Sequence, residues 1–154
     1  MIKRILHITG ALLLCASLTP AAHAQRCPEK DAYAASALIE RLDSWEKIAN
    51  SRTQYAHCDG GNLAQDKSEV VLRRLVDHWE TLPELAKLIK RDPSLQPWVM
   101  SRIAKTYEPA DFKQLTDQAL TACPPGLAAL CADLEKSVGS AYKKRVSPPS
   151  PGSR

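Results

Sequence analysis

Short motifs that mark the common catalytic and metal sites are missing from this sequence. There is no His-Glu-x-x-His segment, which would place two zinc ligands on one helix face, and no serine lies between the glycines of a nucleophile elbow. No two cysteines are separated by two residues, and their longer spacings fit no zinc template. The sequence therefore predicts no enzymatic activity, no metal and no cofactor.

Signals for β-structure are also missing. No stretch alternates apolar and polar residues in the way of a half-buried strand, and no hairpin turn joins two such stretches. Apolar residues recur instead at helical spacing, most clearly at Leu72, Leu75, Val76 and Trp79. We therefore expect an all-α domain, an irregular antiparallel bundle of five or six helices.

The first of these predicted helices has an apolar face made by Ala35, Leu38, Leu42, Trp45 and Ala49. These residues share one face if the helix runs without a break over residues 35–49. Further helices are predicted after the stop-and-start signals at Pro83, Pro93, Pro109 and Gly126.

The body of the chain lacks an excess of basic charge. The formal net charge is +4, but Lys143, Lys144, Arg145 and Arg154 lie near the C-terminus, and no acidic residue follows Glu135. Residues 25–142 carry 15 basic and 17 acidic side chains. This balance does not have the electrostatic character of a nucleic-acid-binding domain, so we expect no nucleic-acid partner.

The N-terminus has the pattern of a secretory signal peptide over residues 1–24. Basic residues precede an apolar run at 11–18, and Ala22 and Ala24 supply the small residues that a signal peptidase accepts. The run is too short to span a membrane, and Cys15 follows leucine where a lipoprotein site needs a small residue. We expect cleavage of this segment and a periplasmic protein with no transmembrane segment in its mature form.

The remainder divides into two parts by composition. Residues 25–146 form the predicted helical domain. Residues 147–154 are rich in proline and serine and have no apolar periodicity, which predicts a disordered basic tail.

Four cysteines remain after the signal peptide, and an even number in an oxidising compartment predicts two disulfides. Cys123 and Cys131 flank a tight Pro-Pro-Gly turn, so their pairing is geometrically easy. Cys27 and Cys58 bracket the first predicted helix, which would hold them apart if it were unbroken. Their pairing requires the helix to stop near residue 50, with residues 51–54 folding back, or to be shorter still.

One loop has the composition of a binding site. Asp59, Gly60, Gly61 and Asn62 follow Cys58, and the glycines expose backbone to a partner while Asp59 and Asn62 offer side-chain acceptors. A calcium loop would need further oxygen ligands, which the next residues do not supply. We predict a partner-binding loop here; the alternative is a capped turn between two helices beside a disulfide.

Other notable side chains have simpler interpretations. His57 and His78 lack the neighbouring groups that catalysis requires, and His78 is interpreted as a boundary residue beside a tryptophan. Arg73 and Arg74 are interpreted as part of a solvated helix face. Core positions are expected for Trp45, Trp79 and, with the weakest pattern, Trp98.

In export, length, helicity and paired cysteines, the chain resembles the small periplasmic immunity proteins that bacteria use against cell-wall-degrading toxins delivered by type VI secretion. The resemblance implies a domain that binds and neutralises a secreted cell-wall hydrolase, and it assigns a role to no individual residue. Two alternatives stay open. One is a structural or stress-related protein of the cell envelope, and the other is a hydrolase that uses carboxylates such as Glu69 and Glu80.

Overall fold

The computed structural model describes residues 27–106 and 108–146. The predicted signal peptide (residues 1–24) and the predicted tail (residues 147–154) lie outside the described residues. Within the described part every regular element is helical, so the all-α prediction is confirmed. No helix of this part is long and apolar enough to cross a lipid bilayer.

The described residues form seven α-helices, joined by short connections that include three turns of 3₁₀ helix. The helices are α1 (Glu29–Leu38), α2 (Trp45–Gln54), α3 (Gly61–Asp77), α4 (Leu82–Arg91), α5 (Leu95–Ile103), α6 (Pro109–Thr121) and α7 (Ala128–Val146). The 3₁₀ turns are Ile39–Arg41, Ala56–Cys58 and Trp79–Thr81.

The predicted single helix over residues 35–49 is wrong, because the chain bends and starts a second helix. α1 ends at Leu38, and Leu42 leaves the helical region of the backbone with ψ 55°. Ser44 then caps α2, its Oγ accepting a hydrogen bond from the Lys47 amide at 3.3 Å. A serine cap satisfies an amide at a new helix start, which favours the break. The bend raises the number of helices from the predicted five or six to seven.

The main hydrophobic core is built around α3. Leu72, Leu75 and Val76 are fully buried there, as the apolar stripe predicts, and the neighbouring Val71 is buried with them. α3 contacts α1, α5 and α6, while α7 contacts α5 and α6, and α2 contacts α4. The main core accordingly draws on every helix from α2 to α7.

Two tryptophans occupy the predicted core positions. Trp45 is buried and donates a hydrogen bond from its indole Nε1 to Thr81 Oγ1 at 3.0 Å. Trp79 is buried and donates to the Ala122 carbonyl at 2.8 Å. Each indole therefore contributes apolar area while its single polar group has a partner.

Both expected disulfides are present. Cys123 pairs with Cys131 across the turn, with a Cα–Cα distance of 6.1 Å, and Cys27 pairs with Cys58 at 4.7 Å. The second pairing is possible because α1 is short. Residues 51–54 do not fold back, since they form the last turn of α2.

Candidate functional site

Of the predicted loop at residues 59–62, Asp59 and Gly60 join the 3₁₀ turn Ala56–Cys58 to α3, whereas Gly61 and Asn62 are the first two residues of that helix. Gly60, Gly61 and Asn62 are exposed, and no side chain caps the helix, whose N-cap is Gly60. Gly61 has φ +54°, a left-handed conformation that glycine adopts without steric cost. Gly60 has φ −137°, an extended conformation open to other residues.

The structure places Asp59 in contacts within the protein. Its Oδ2 accepts hydrogen bonds from Trp98 Nε1 at 3.0 Å and from Arg102 Nη2 at 2.8 Å, and its Oδ1 accepts one from Arg102 Nη1 at 3.2 Å. Lys67 Nζ lies 3.7 Å from Oδ1. Asp59 thus fastens the loop to α3 and α5, a role that the loop composition did not indicate.

Two buried cations face this single carboxylate. Lys67 and Arg102 are only 2% and 5% exposed. The Lys67 Nζ has no hydrogen-bond partner among the described residues. Burial lowers the pKa of Lys67, the charge of Arg102 lowers it further, and Asp59 opposes both effects. The carboxylate therefore offsets part of the cost of two buried charges.

Trp98 extends this cluster towards α2. The guanidinium carbon of Arg102 lies 5.0 Å from the centre of the indole ring, and that of Arg52 lies 6.0 Å from it. Both distances permit a cation–π interaction. Arg52 is itself held by Asp92 Oδ2 at 2.6 Å and by the Ser94 hydroxyl at 2.7 Å. The loop is therefore linked to α5 directly and to α2 through a stacked tryptophan.

Sequence reasoning missed Lys67 and Arg102, although a signal for both exists. Lys67 lies between Ala64 and Val71 on the buried stripe of α3, and Arg102 lies three residues after Val99 on the buried stripe of α5. A cation on an apolar stripe has to find an internal anion. The sequence does not say which anion, because Asp59 is 43 residues away from Arg102.

A surface pocket of about 430 Å³ adjoins the loop. One side is formed by α1 and the other by the loop and the start of α3. His57 lies within it and its Nε2 is 2.9 Å from Asp31 Oδ2. The pocket is lined by Cys27, Ala32, Ser36, His57, Cys58, Gly60, Asn62, Leu63 and Asp66.

The remaining candidates lie apart from this pocket. Glu69 pairs with Arg73 at 3.2 Å, and Glu80 lies 3.6 Å from the Nδ1 of His78 on the surface. Arg73 also pairs with Asp111, which raises the pKa of the guanidinium and connects α3 to α6. Glu69 and Glu80 therefore have different partners, and each is exposed.

Among the described residues, no group of three or more His, Cys, Asp or Glu side chains could hold a metal ion. Comparison with known proteins found no matching family model, no matching curated protein and no matching solved structure. The resemblance to immunity proteins therefore stays a prediction.

Proposed function

We propose that this chain is an exported protein-binding domain that neutralises a cell-wall-degrading enzyme by direct binding. The observation that carries the proposal is an exposed loop fixed at its start. Cys58 ties the loop to Cys27, and Asp59 ties it to Trp98 and Arg102. Residues 60–62 follow these two anchors and are exposed.

A fixed loop supports a binding role because the loop is already ordered before the partner binds. Binding loses less conformational entropy when the contact segment already has its bound shape. Binding residues also concentrate on loops that a rigid scaffold positions. The disulfide and the Asp59 cluster provide that scaffold immediately before a short, exposed segment.

The surroundings of the two glycines show whether the fold itself requires glycine at each position. A Cβ at Gly60 or Gly61 would meet no heavy atom within 4 Å, so internal packing demands glycine at neither position. The backbone conformation favours glycine at Gly61 alone, because only that residue has a positive φ. We take the glycine at position 60 as a means for a partner to approach the backbone closely, beside a pocket large enough for one of its side chains.

Export and the periplasmic location belong to the same proposal. Two disulfides are typical of proteins that work in an oxidising compartment. A protein in that compartment meets enzymes that act on the cell wall, and a small rigid domain can block the substrate cleft of such an enzyme.

The test uses the full chain with the secreted cell-wall hydrolases of the same organism, beginning with any that is encoded beside it. We expect the wild-type chain to bind one hydrolase as a stable complex and to inhibit its digestion of purified cell walls. Gly60→Glu should weaken binding at least tenfold at an unchanged melting temperature, since the new side chain projects into open space. Ser140→Glu, which adds the same charge at an exposed site on α7, should bind normally.

Three outcomes would contradict the proposal. Failure of the wild-type chain to inhibit any of these hydrolases would remove the inhibitory function and favour a structural role in the envelope. Equal inhibition by the Gly60→Glu and Ser140→Glu variants would show that the loop is not the contact surface. Digestion of cell walls by the chain alone would favour the hydrolase alternative.

A further inference from the structure

A second pocket adjoins the one beside the loop. It has a volume of about 420 Å³ and is lined by residues of α1, the following 3₁₀ turn and α3. Ser36 and Asp66 line both pockets, which therefore form one continuous surface. We call this the α1–α3 surface and define it by Tyr33, Ser36, Glu40, Asn62 and Asp66.

The charge of the α1–α3 surface is negative and uncompensated. Glu40 and Asp66 are exposed, and neither carboxylate has an ion-pair partner among the described residues. Neither Lys nor Arg lines the two pockets, and the one histidine there, His57, already contacts Asp31. A cation that approaches this surface meets two carboxylates free to receive it.

An aromatic side chain stands beside these carboxylates. Tyr33 is 79% exposed, more than any other large hydrophobic side chain in the described part of the chain. Tyrosine is enriched among the residues that dominate the energy of protein interfaces. Its ring can pack on the aliphatic stem of a lysine or arginine while its face attracts the cation.

We propose that the α1–α3 surface binds a basic segment of the partner protein. Lysine or arginine side chains of that segment pair with Glu40 and Asp66, and their stems pack on Tyr33. This inference rests on the proposed function and adds the chemistry of the partner to it. An acidic partner or an anionic lipid surface is disfavoured, because like charges would then face each other without compensation.

The first experiment uses hexalysine as the probe, with hexaglutamate as its opposite, on the full mature chain. At low ionic strength, hexalysine should change the amide chemical shifts of the residues of the α1–α3 surface in nuclear magnetic resonance spectra. These changes should saturate as hexalysine is added. Glu40→Gln/Asp66→Asn should weaken this binding at least fivefold. The control Glu84→Gln/Glu108→Gln makes the same change in net charge at exposed carboxylates elsewhere and should leave binding unchanged.

The effect of the Glu40→Gln/Asp66→Asn variant is compared with that of the Glu84→Gln/Glu108→Gln control. Shifts spread over the whole protein, or equal weakening by both double variants, would overturn the assignment, since binding would then follow net charge alone. Saturable shifts caused by hexaglutamate at the same residues would overturn the sign of the surface.

The second experiment separates this inference from the proposed function. The affinity of each variant is measured for the hydrolase that the wild-type chain inhibits. Tyr33→Ala and Glu40→Gln/Asp66→Asn should each weaken this binding at least tenfold. The loss in the double variant should shrink as salt is added, because salt screens exposed charges. Normal binding by these variants, together with loss of binding by Gly60→Glu, would refute the basic partner and keep the inhibitor. Hexalysine binding at this surface without inhibition of any hydrolase would refute the inhibitor and keep the surface for basic segments.

Discussion

Two regions of this protein are stabilised by different interactions. The main core joins α2 to α7 through a large set of buried apolar side chains. The disulfide-loop region, residues 27–38 and 55–66, has a buried cluster of only Ala35, Tyr55 and Cys58. It depends instead on the Cys27–Cys58 bond and on the contacts of Asp59. Apolar burial therefore supplies most of the stability, while covalent and ionic constraints fix the shape of the candidate site.

The largest expected effect belongs to the main core. Leu72 is fully buried, so Leu72→Ala leaves a cavity and should lower the free energy of unfolding by about 3–5 kcal/mol. Urea unfolding followed by circular dichroism measures this loss. The matched variant Leu120→Ala removes an exposed leucine, 69% accessible, and should cost much less. Equal losses in both variants would contradict the position of the core.

The two disulfides should differ in what they protect. Replacing Cys27 and Cys58 by serine opens the longer ring and should cost about 3–4 kcal/mol in the chain-entropy model. Replacing Cys123 and Cys131 opens a much shorter ring and should cost about 2–3 kcal/mol. Hydrogen exchange should show local opening of α1 only in the first variant. Opening of α1 in both variants, or in neither, would remove the distinction between the two regions.

The buried cation at position 67 should give stability a particular pH dependence. Because the pKa of Lys67 is lowered in the folded state, the unfolded chain binds more protons between that lowered pKa and 10.5. The stability of the wild type should therefore rise with pH through this window, relative to Lys67→Met. The difference in unfolding free energy between the two proteins, measured along a pH series, tests the sign. A difference that falls with rising pH would show that Lys67 is better compensated than the structure indicates.

The smallest effect separates the two loop glycines. Gly61→Ala forces a residue with a Cβ into a positive φ and should cost about 1 kcal/mol. Gly60→Ala should cost less, about 0.5 kcal/mol, because an extended backbone accepts alanine and open space surrounds its Cβ, and the remaining loss reflects the preference for glycine over alanine at an N-cap. Thermal melts of the two variants give the comparison. A larger loss at Gly60 would mean that the fold, and not a partner, needs that glycine.

The main core and the disulfide-loop region also differ in how far the sequence predicts them. The apolar stripe of α3, the helical class and both disulfides were predictable, because periodicity and cysteine parity are local or countable signals. The bend before Ser44 was not predictable, because Leu42 and Trp45 continue the apolar pattern across the break and are both buried.

The anchor of the loop was equally hidden. The contacts of Asp59 with Trp98 and Arg102 join residues about forty positions apart, and a single sequence does not show which distant residues meet. Composition suggested that Asp59 faces a partner, whereas the structure shows its carboxylate bonded inside the protein. The prediction that Gly60, Gly61 and Asn62 contact a partner stays open to the binding experiments above.

Hydrogen exchange of the Asp59→Asn variant tests most directly whether the loop is fixed independently of the main core. The substitution keeps the size of the side chain and removes the charge that faces Lys67 and Arg102. We expect the amides at residues 57–66 to exchange at least tenfold faster, while the amides of α6 and α7 keep their protection. Uniform acceleration in every helix, or unchanged exchange in the loop, would contradict this expectation.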